Sequence, residues 1–458
     1  MANLNYVLLE RVTVGETAVS SITFNSIPQT GYTDLKIVAS TRSTYSAAFS
    51  RAKMQINAST TSYSNRMVYG DGSATSSATS TDYITYVYSV GSTATASTFG
   101  SAEIYIPNYA GSNNKSVSVD SVTENNAASA YAVLEAGLLS NTAAITSLTF
   151  TDANSGSFVQ YSTFSLYGLA AVGTTPTKAP KASGGSIIQT DGTYWYHAFL
   201  ASGTFTPAVG LSCDVLVVAG GGGGGGGVGG GGGAGGYRTT TSLSVSTATS
   251  ITVGGGGAGG TGSYPSTTKG TEGSNSIFSS ITSSGGGGGA KAASAAGAGG
   301  SGGGAGSEST STAGAGNAGS YSPVEGYAGG GPGWDAPNYP GSGGGGAGGA
   351  GVRAASASSS GGAGGVGSFT AISGGATTGV GVLSGGNYYF AGGGGGGVYV
   401  SGSGGAGGLG GGGAAGTLGA SGTAATPNTG GGGGGCSNNS GQVAGKGGSG
   451  IVIIRYAV

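Results

Sequence analysis

The stretch DVLVVAGGGGGGGG, residues 214–227, decides the fold of the C-terminal part of this chain. Its apolar residues Val215–Val218 have the composition of a buried β-strand, and eight consecutive glycines follow at 220–227. The reverse transition closes the sequence, where GSGIVIIRY (448–456) leads from glycine back into an aliphatic run. Strand-like segments at both borders indicate that the glycines between them belong to a folded domain.

The distribution of glycine divides the chain into two domains. Of 108 glycines, only eleven precede Gly184. The change falls at residues 173–185, GTTPTKAPKASGG, where prolines, lysines and short polar residues predict a semi-extended linker. We therefore expect an attachment or assembly domain at 1–172 and a glycine-rich domain at 186–458.

The first domain has the pattern of an all-β protein. Short runs rich in β-branched and aromatic residues, such as Ser21–Phe24 and Tyr83–Tyr88, alternate with turn residues. About eight runs of this kind predict a β-sandwich of jelly-roll-like form. Only the segment Ala127–Leu139 has a composition that also suits a helix, although its apolar residues lack a clear 3.6-residue period.

The glycine tracts of the second domain allow two interpretations. Glycine loses more backbone entropy on folding than any other residue, so a tract of eight glycines suits a flexible linker. A solvating linker, however, would avoid the aromatic residues that interrupt these tracts. The ordered alternative is a bundle of polyproline-II-type helices, whose outward N–H and C=O groups bond to neighbouring helices. We expect the ordered form, with β-strands flanking packed polyglycine-II-type helices.

Composition argues against several classes of partner. Charged residues are 7% of the chain, the net charge is −1, and 15 lysines and arginines are thinly spread. Nucleic-acid binding needs clustered basic residues, so we expect no nucleic-acid partner. No apolar run approaches the ~20 residues of a membrane span, and the first residues lack a secretory signal. We expect synthesis in a cytoplasm and no membrane insertion.

Residues with catalytic or metal-binding chemistry are sparse. His197 is the only histidine and lies in the aromatic run Tyr194–Phe199, so a structural role is expected. A catalytic triad or a metal site would need more partners. Cys213 and Cys436 are predicted to be two unpaired thiols, with a bridge as the alternative if the border strands pair. We expect no enzymatic activity, no cofactor and no metal.

The aromatic segments that interrupt the glycine tracts are the candidate binding sites. Tyrosine and tryptophan give large contact area at low entropic cost, and asparagine adds adaptable hydrogen bonds. The alternative is that these side chains cap the glycine bundle or pack between chains. The candidate residues are Tyr264, Tyr321, Tyr327, Trp334, Asp335, Asn338, Tyr339, Asn387, Tyr388, Tyr389, Phe390 and Asn438.

The C-terminal half, about residues 190–458, resembles the glycine-rich domains of phage tail-fibre and tail-tip adhesins. The resemblance rests on Val215–Gly220, on the segment 235–238 (GGYR) and on the closing segment 447–456. Some of those domains pack as polyglycine sandwiches. The resemblance implies a virion protein whose glycine-rich end faces a host-surface polysaccharide or outer-membrane protein.

The N-terminal half is similar to virion proteins of marine phages, including phages of cyanobacteria, over the segments 21–28, 105–109 with 111–115, and 162–168. This resemblance implies attachment to other tail or capsid proteins and, by analogy with other fibres, a homotrimer. The alternative function is a purely structural virion component, such as a capsid-surface fibre or decoration protein.

Overall fold

The structure of this protein is a computed structural model. It describes residues 6–81, 84–126, 129–171, 179–261, 266–333, 339–355, 360–399, 402–438 and 441–458, with backbone only at 84–86. The chain forms two compact units. The N-terminal unit comprises Met1–Lys181, Ser186–Trp195 and Ala457–Val458. The glycine-rich unit comprises Ala182–Gly185 and Tyr196–Tyr456.

The regular secondary structure of the described residues is almost entirely β-strand. The two short helical turns are a 3-10 turn at Ala371–Ser373 and an α-helix, α1, at Gly375–Thr378. The strands are β1 Tyr6–Thr13, β2 Ser21–Phe24, β3 Tyr32–Thr41, β4 Phe49–Ile56, β5 Tyr63–Gly70, β6 Thr75–Ser80, β7 Ile84–Val90, β8 Gly100–Ile106, β9 Lys115–Val122, β10 Ala132–Leu139, β11 Leu148–Asp152, β12 Thr163–Ala170, β13 Ala182–Ser183, β14 Ile187–Thr190, β15 Tyr194–Phe199, β16 Gly203–Pro207, β17 Leu211–Val218, β18 Tyr237–Val245, β19 Thr249–Thr252, β20 Ser276–Phe278, β21 Ile281–Ser283, β22 Ser368–Phe369, β23 Val382–Ser384, β24 Asn387–Phe390 and β25 Ile451–Ala457.

The N-terminal unit is a β-sandwich, as predicted. One sheet has the order β14-β1-β12-β3-β8-β9-β10-β5-β6, and the other has the order β2-β11-β4-β7. Both sheets contribute to one core, with Leu35 and Ile37 from the first and Met54, Ile56 and Phe150 from the second. Burial alternates residue by residue along β9, because successive side chains of a strand point to opposite faces.

The helical interpretation of Ala127–Leu139 is wrong: none of its described residues, 129–139, is helical, and 132–139 form β10. All eight residues of this strand pair with β9 on one side and with β5 on the other. Val133, Glu135 and Leu139 are buried, and the spacings between them are two and four residues. The period of two, with hydrogen-bonding strands on both sides, outweighs the helix-forming composition of the segment.

The border strands of the glycine-rich unit pair with each other. Strand β17 lies antiparallel to β25, with Val215 opposite Ile454. Together with β18 and β15 they form the order β18-β17-β25-β15, and the unit also contains the sheets β13-β16-β19-β20-β21 and β22-β24-β23. The strands predicted at both borders of the glycine tracts are therefore confirmed.

The first glycine tract after β17 forms hydrogen bonds at every third residue. The N–H groups of Gly220, Gly223 and Gly226 donate to carbonyl oxygens in tract 268–274, at N···O distances of 3.0, 2.9 and 3.0 Å. The two intervening series of N–H groups donate to two other tracts, and the carbonyl oxygens accept from three more. The six bonded neighbours are 229–236, 254–260, 268–274, 285–290, 430–436 and 443–450.

The direction of each neighbouring tract depends on whether it accepts hydrogen bonds from this tract or donates them to it. The neighbours that accept its N–H groups run antiparallel to it, since their residue numbers fall by three as those of the tract rise by three. The neighbours that donate to its carbonyl oxygens run parallel to it. Every backbone polar group of Gly220–Gly225 thus has a partner in another segment, which satisfies the hydrogen-bonding requirement of a buried backbone.

The tracts fall into an inner and an outer set. The residues of the inner tracts are all buried, and none of their side chains is larger than cysteine. We call the following ranges the inner tracts: 219–226, 229–236, 286–290, 301–306, 341–347, 391–397 and 430–436. Exposed residues occur in each of the outer tracts, which are 254–260, 268–274, 296–300, 312–316, 326–331, 349–354, 361–367, 404–409, 411–416, 422–426 and 443–450.

Close approach of backbones explains why the inner tracts need glycine. A Cβ added at Gly223 would overlap the carbonyl oxygen of Ala258, and one at Gly231 would overlap that of Gly394. Both obstacles are backbone atoms, which cannot rotate away as the end of a side chain could. The glycines are therefore selected by space, and no unusual φ angle is needed at these two positions.

Along one of the outer tracts, the side chains that reach solvent recur at every third residue. In tract 443–450, Val443 and Lys446 are exposed and Ser449 is half-buried, while Gly445 and Gly447 between them are buried. The exposed residues of this tract thus occupy a register that points away from the neighbouring tracts. None of the helices in the described part of the chain is long and apolar enough to cross a membrane.

Candidate functional site

The glycine tracts have two ends, and the predicted site residues are distributed between them. We call the end where β17 enters and β25 leaves the strand end. The opposite end, the loop end, contains the turn at 227–228 and the tips of three other inner tracts. There the N–H of Val228 donates to the carbonyl of Cys436 at 3.1 Å. The N–H of Gly397 donates to the carbonyl of Gly229 at 2.9 Å. The N–H of Gly341 donates to the carbonyl of Gly397 at 2.8 Å.

Tyr321 lies at the strand end and has a structural partner. The guanidinium of Arg238 lies over its ring, 3.8 Å from the centroid. The side chain of Asn317 accepts from the backbone N–H of Tyr321 at 3.1 Å and donates to its carbonyl at 3.0 Å. This cation–π contact and the two hydrogen bonds fix the loop against β18.

Tyr327 is the exposed candidate of the strand end. Its side chain is 42% exposed, whereas its backbone N–H donates to the carbonyl of Gly346 at 3.1 Å. The nearby carboxylate of Glu325 is fully buried and accepts from the backbone N–H of Ser284 at 2.9 Å. The backbone around Tyr327 is therefore anchored, and only its ring is available to a partner.

The candidates Asn387, Tyr388, Tyr389 and Phe390 form strand β24 at the strand end rather than an open loop. Phe390 is fully buried. Tyr388 packs so closely on Gly375 of α1 that a Cβ there would overlap its ring. The ring of Tyr389 lies 5.0 Å from that of Phe369 on β22. The alternative interpretation, in which aromatic side chains cap the glycine bundle, fits this group of residues.

Two tyrosines contact each other at the loop end. The rings of Tyr339 and Tyr399 are 6.1 Å apart and nearly perpendicular, with an interplanar angle of 78°. Tyr399 is 38% exposed. Sequence reasoning missed Tyr399, although it follows the tract 392–397 immediately after Val398 and is the same kind of aromatic interruption.

Asn438, also at the loop end, lies in a segment joined to a neighbouring loop. The hydroxyl of Ser437 accepts from the N–H of Gly419 at 3.1 Å and donates to the carbonyl of Ala420 at 3.2 Å. Leu418 in that neighbouring loop is 48% exposed. The candidates Tyr264, Trp334, Asp335 and Asn338 lie outside the described residues.

The two cysteines are free, as predicted, although the border strands do pair. Cys213 lies in β17 before the first tract begins, whereas the N–H of Cys436 donates to the carbonyl of Gly225 near the far end of that tract. The length of the tract keeps the two sulfurs apart. Burial raises the pKa of the Cys213 thiol to about 11 and raises that of Cys436 as well, so both are held in the unreactive thiol form.

His197 is buried and bonded on both ring nitrogens. Its Nδ1 lies 2.7 Å from the carbonyl oxygen of Gly184, and its Nε2 lies 3.0 Å from the hydroxyl of Tyr456. Burial lowers the pKa of His197 to about 4, so the ring is neutral at pH 7. Within the part of the chain that the structure describes, no group of three or more His, Cys, Asp or Glu side chains is placed to hold a metal ion.

Comparison with known proteins agrees with this architecture. A family model described as a glycine-rich domain matches residues 200–457. The chain belongs to this glycine-rich domain family. The match begins just before β16 and ends in β25, so the glycine-rich domain includes both border strands and all the tracts between them. No curated protein matches the chain.

Proposed function

We propose that this chain is a structural and adhesive protein, of the tail-fibre or tail-tip kind, whose loop end binds a host cell surface. The observation that supports this most strongly is the separation of the two ends by the inner tracts. About seven residues of extended backbone, rising about 3.1 Å each, hold them roughly 20 Å apart. The rings of Tyr339 and Tyr399 lie at the end opposite the border strands.

A scaffold that presents loops to a surface must be stiff. We propose that the tracts are polyglycine-II-type helices, because hydrogen bonds that recur at every third residue match their three residues per turn. A backbone that donates and accepts in six directions resists bending toward any of them. The entropy lost by ordering glycine is thus offset during folding, and the loops need not be ordered again on binding.

The carboxylates of the glycine-rich unit favour adhesion over hydrolysis. Asp214 accepts two hydrogen bonds from Arg455, at 3.1 and 3.0 Å. Glu325 is buried against backbone amides. The Oε1 atom of Glu272 lies 3.8 Å from the Nζ atom of Lys269. Polysaccharide hydrolysis needs two carboxyl groups facing one another across a cleft. These three carboxylates have structural or cationic partners instead.

The test compares two tyrosines of similar exposure at opposite ends. The full chain is labelled with a fluorophore, and its binding to a panel of bacterial cells, cyanobacteria included, is measured by flow cytometry. Tyr399→Ser should weaken binding about tenfold, because loss of an aromatic anchor commonly costs more than 1 kcal/mol. Trp334→Ala should have an equal or larger effect. Tyr327→Ser, the matched control at the strand end, should bind as the unsubstituted chain does.

Three results would contradict the proposal in different ways. Equal losses for Tyr327→Ser and Tyr399→Ser would mean that the loop end has no special role. Loss only for Tyr327→Ser would move the binding surface to the strand end. Absence of binding to every cell type would favour the alternative of a purely structural virion component, which immunogold labelling of particles would then locate.

A further inference from the structure

The outer face of the nine-stranded sheet carries an apolar cluster that the sandwich core does not use. The cluster consists of Val68 on β5, Leu134 on β10 and Val122 on β9, with exposed fractions of 50%, 59% and 41%. Leu134 lies directly opposite Val68 in the sheet. Three large apolar side chains on adjacent strands form a contiguous exposed patch, which on a soluble protein marks an interaction surface.

The surroundings of the cluster are flat. On the same face, Ala132 and Ala136 flank Leu134 along β10, and Ser118 lies opposite Ala136 on β9. Thr79 and Ser77 continue the face on β6. These small side chains leave no ridge on β10 and β6 or at Ser118 of β9, so a planar partner can approach closely there. Glu103 and Tyr105 on β8 form the border of this flat area.

Two charges of opposite sign flank the cluster. Arg66 is exposed on β5 and lies opposite Ala136, and Asp120 is exposed on β9 and lies opposite Leu134. Two strand spacings of about 4.8 Å separate them across β10, and both side chains project from the same face rather than toward each other, so they do not pair within one chain. Among the described residues, neither side chain has an ion-pair partner.

We propose that this face binds the same face of a second copy of the chain, about a two-fold axis that runs along β10. Such an axis places β5 of one copy over β9 of the other and Leu134 over Leu134. Arg66 then faces Asp120 of the second copy with an offset of two residues, about 6.8 Å along the strand. The operation forms this contact twice, as the isologous interface of a dimer requires.

The size of the face suits a specific contact of modest strength. The five strands centred on β10 are β8, β9, β10, β5 and β6. Spaced about 4.8 Å apart and about seven residues long, they cover roughly 600 Å² in projection. A standard interface buries about 800 Å² of accessible surface on each partner. The contact does not depend on the adhesive role of the loop end, and it differs from the trimer expected by analogy with other fibres.

The experiment is sedimentation equilibrium of the full chain over a wide concentration range. The unsubstituted protein should reach twice the chain mass. Leu134→Asp should weaken dimerisation at least about tenfold, because it buries a charge at the centre of an apolar contact. Val209→Asp is the matched control, since Val209 is 56% exposed in the glycine-rich unit, and it should leave the dimer unchanged.

A charge exchange separates a lost contact from a damaged fold. Arg66→Asp alone and Asp120→Arg alone should each weaken the dimer, because each places like charges together across the axis. The double variant restores both pairs with reversed sign and should recover the dimer. A monomer at every concentration would overturn the proposal, and so would a dimer or larger assembly that is indifferent to these substitutions.

Discussion

The two units of this chain exclude water from their interiors by different means. In the N-terminal unit, large side chains such as Phe150, Phe158 and Phe164 fill the space between two sheets. In the glycine-rich unit, backbone meets backbone, and the inner tracts contain no side chain larger than cysteine. Apolar burial is the main favourable term in the first, whereas hydrogen bonds and close backbone packing must take a much larger share in the second.

The difference shows that sequence tolerance depends on what fills the interior. A side-chain core loses contacts when a residue becomes smaller and accepts other shapes of similar volume. A backbone core has no side chains to remove, and it is disrupted when a residue becomes larger. The next four predictions test the two units separately, from the largest expected effect to the smallest.

Truncation of the sandwich core should give the largest loss. The ring of Phe164 is fully buried and lies 5.0 Å from the rings of both Phe150 and Phe158. Phe164→Ala should lower the free energy of unfolding of the N-terminal unit by about 3–5 kcal/mol, measured by urea denaturation. Tyr45→Ala is the control, since Tyr45 is 37% exposed, and it should cost much less. Equal losses would contradict the assignment of the core.

Acid should destabilise the glycine-rich unit through His197. The folded pKa of about 4 lies below the ordinary 6.5, so the unfolded chain binds the proton first as pH falls. Stability is therefore complete above pH 6.5 and falls by about 3 kcal/mol as pH drops to 4. Denaturation at pH 7, 5.5 and 4 measures this slope, and His197→Gln should flatten it. A slope that is the same in both proteins would exclude His197 as its source.

A rise in pH above 4.5 should destabilise the N-terminal unit through Glu10, whereas a fall in pH destabilises the glycine-rich unit through His197. Burial raises the pKa of Glu10 well above 4.5, and Gln189 donates to its carboxyl group at 3.4 Å. The unfolded chain releases this proton first, so Glu10 reduces stability progressively as pH rises above 4.5. Glu10→Gln should raise the denaturation midpoint at pH 7 and change little at pH 4. Glu16→Gln, at an exposed position, should have no such effect, and an equal gain there would rule out burial as the cause.

Substitution at an outward position of an outer tract should have the smallest effect. Lys446 is exposed, and its side chain points away from the neighbouring tracts. Lys446→Ala should change the free energy of unfolding by no more than about 0.5 kcal/mol, as is usual for surface sites. The thermal midpoint of the purified protein checks this. A large loss would mean that the three-residue register of tract 443–450 is assigned wrongly.

The sequence predicted the parts of the fold in which composition and period agree. The strands 21–24 and 451–456 and the β-sandwich were found because apolar residues alternate or run together between turn residues. Strand β6 (Thr75–Ser80) was missed, because its serines and threonines lie exposed at the edge of the sheet and show no apolar alternation. Strand β10 was ambiguous because Ala, Leu and Glu suit a helix, and its pairing partners are distant in sequence.

The candidate site was predicted less well, for a physical reason. Aromatic interruptions are visible in the sequence, but the end of the bundle at which each lies depends on the direction of every tract. That direction is set by hydrogen bonds such as the one from Gly221 to Gly448, which lie far apart in the chain. Tyr321 and Phe390 therefore looked equivalent to Tyr339, although the structure places them at the strand end as packing residues.

An alanine scan of Gly254–Gly257 tests most directly whether close backbone approach, rather than flexibility, is what requires glycine. A Cβ at Gly255 meets nothing within 4 Å, and three residues later the chain already carries Ala258. A Cβ at Gly254, Gly256 or Gly257 would overlap a backbone carbonyl oxygen. Gly255→Ala should therefore be neutral or stabilise by up to about 1 kcal/mol, while each of the other three should cost about 2 kcal/mol or more. Four equal effects, in either direction, would contradict close backbone approach as the reason for glycine in this tract.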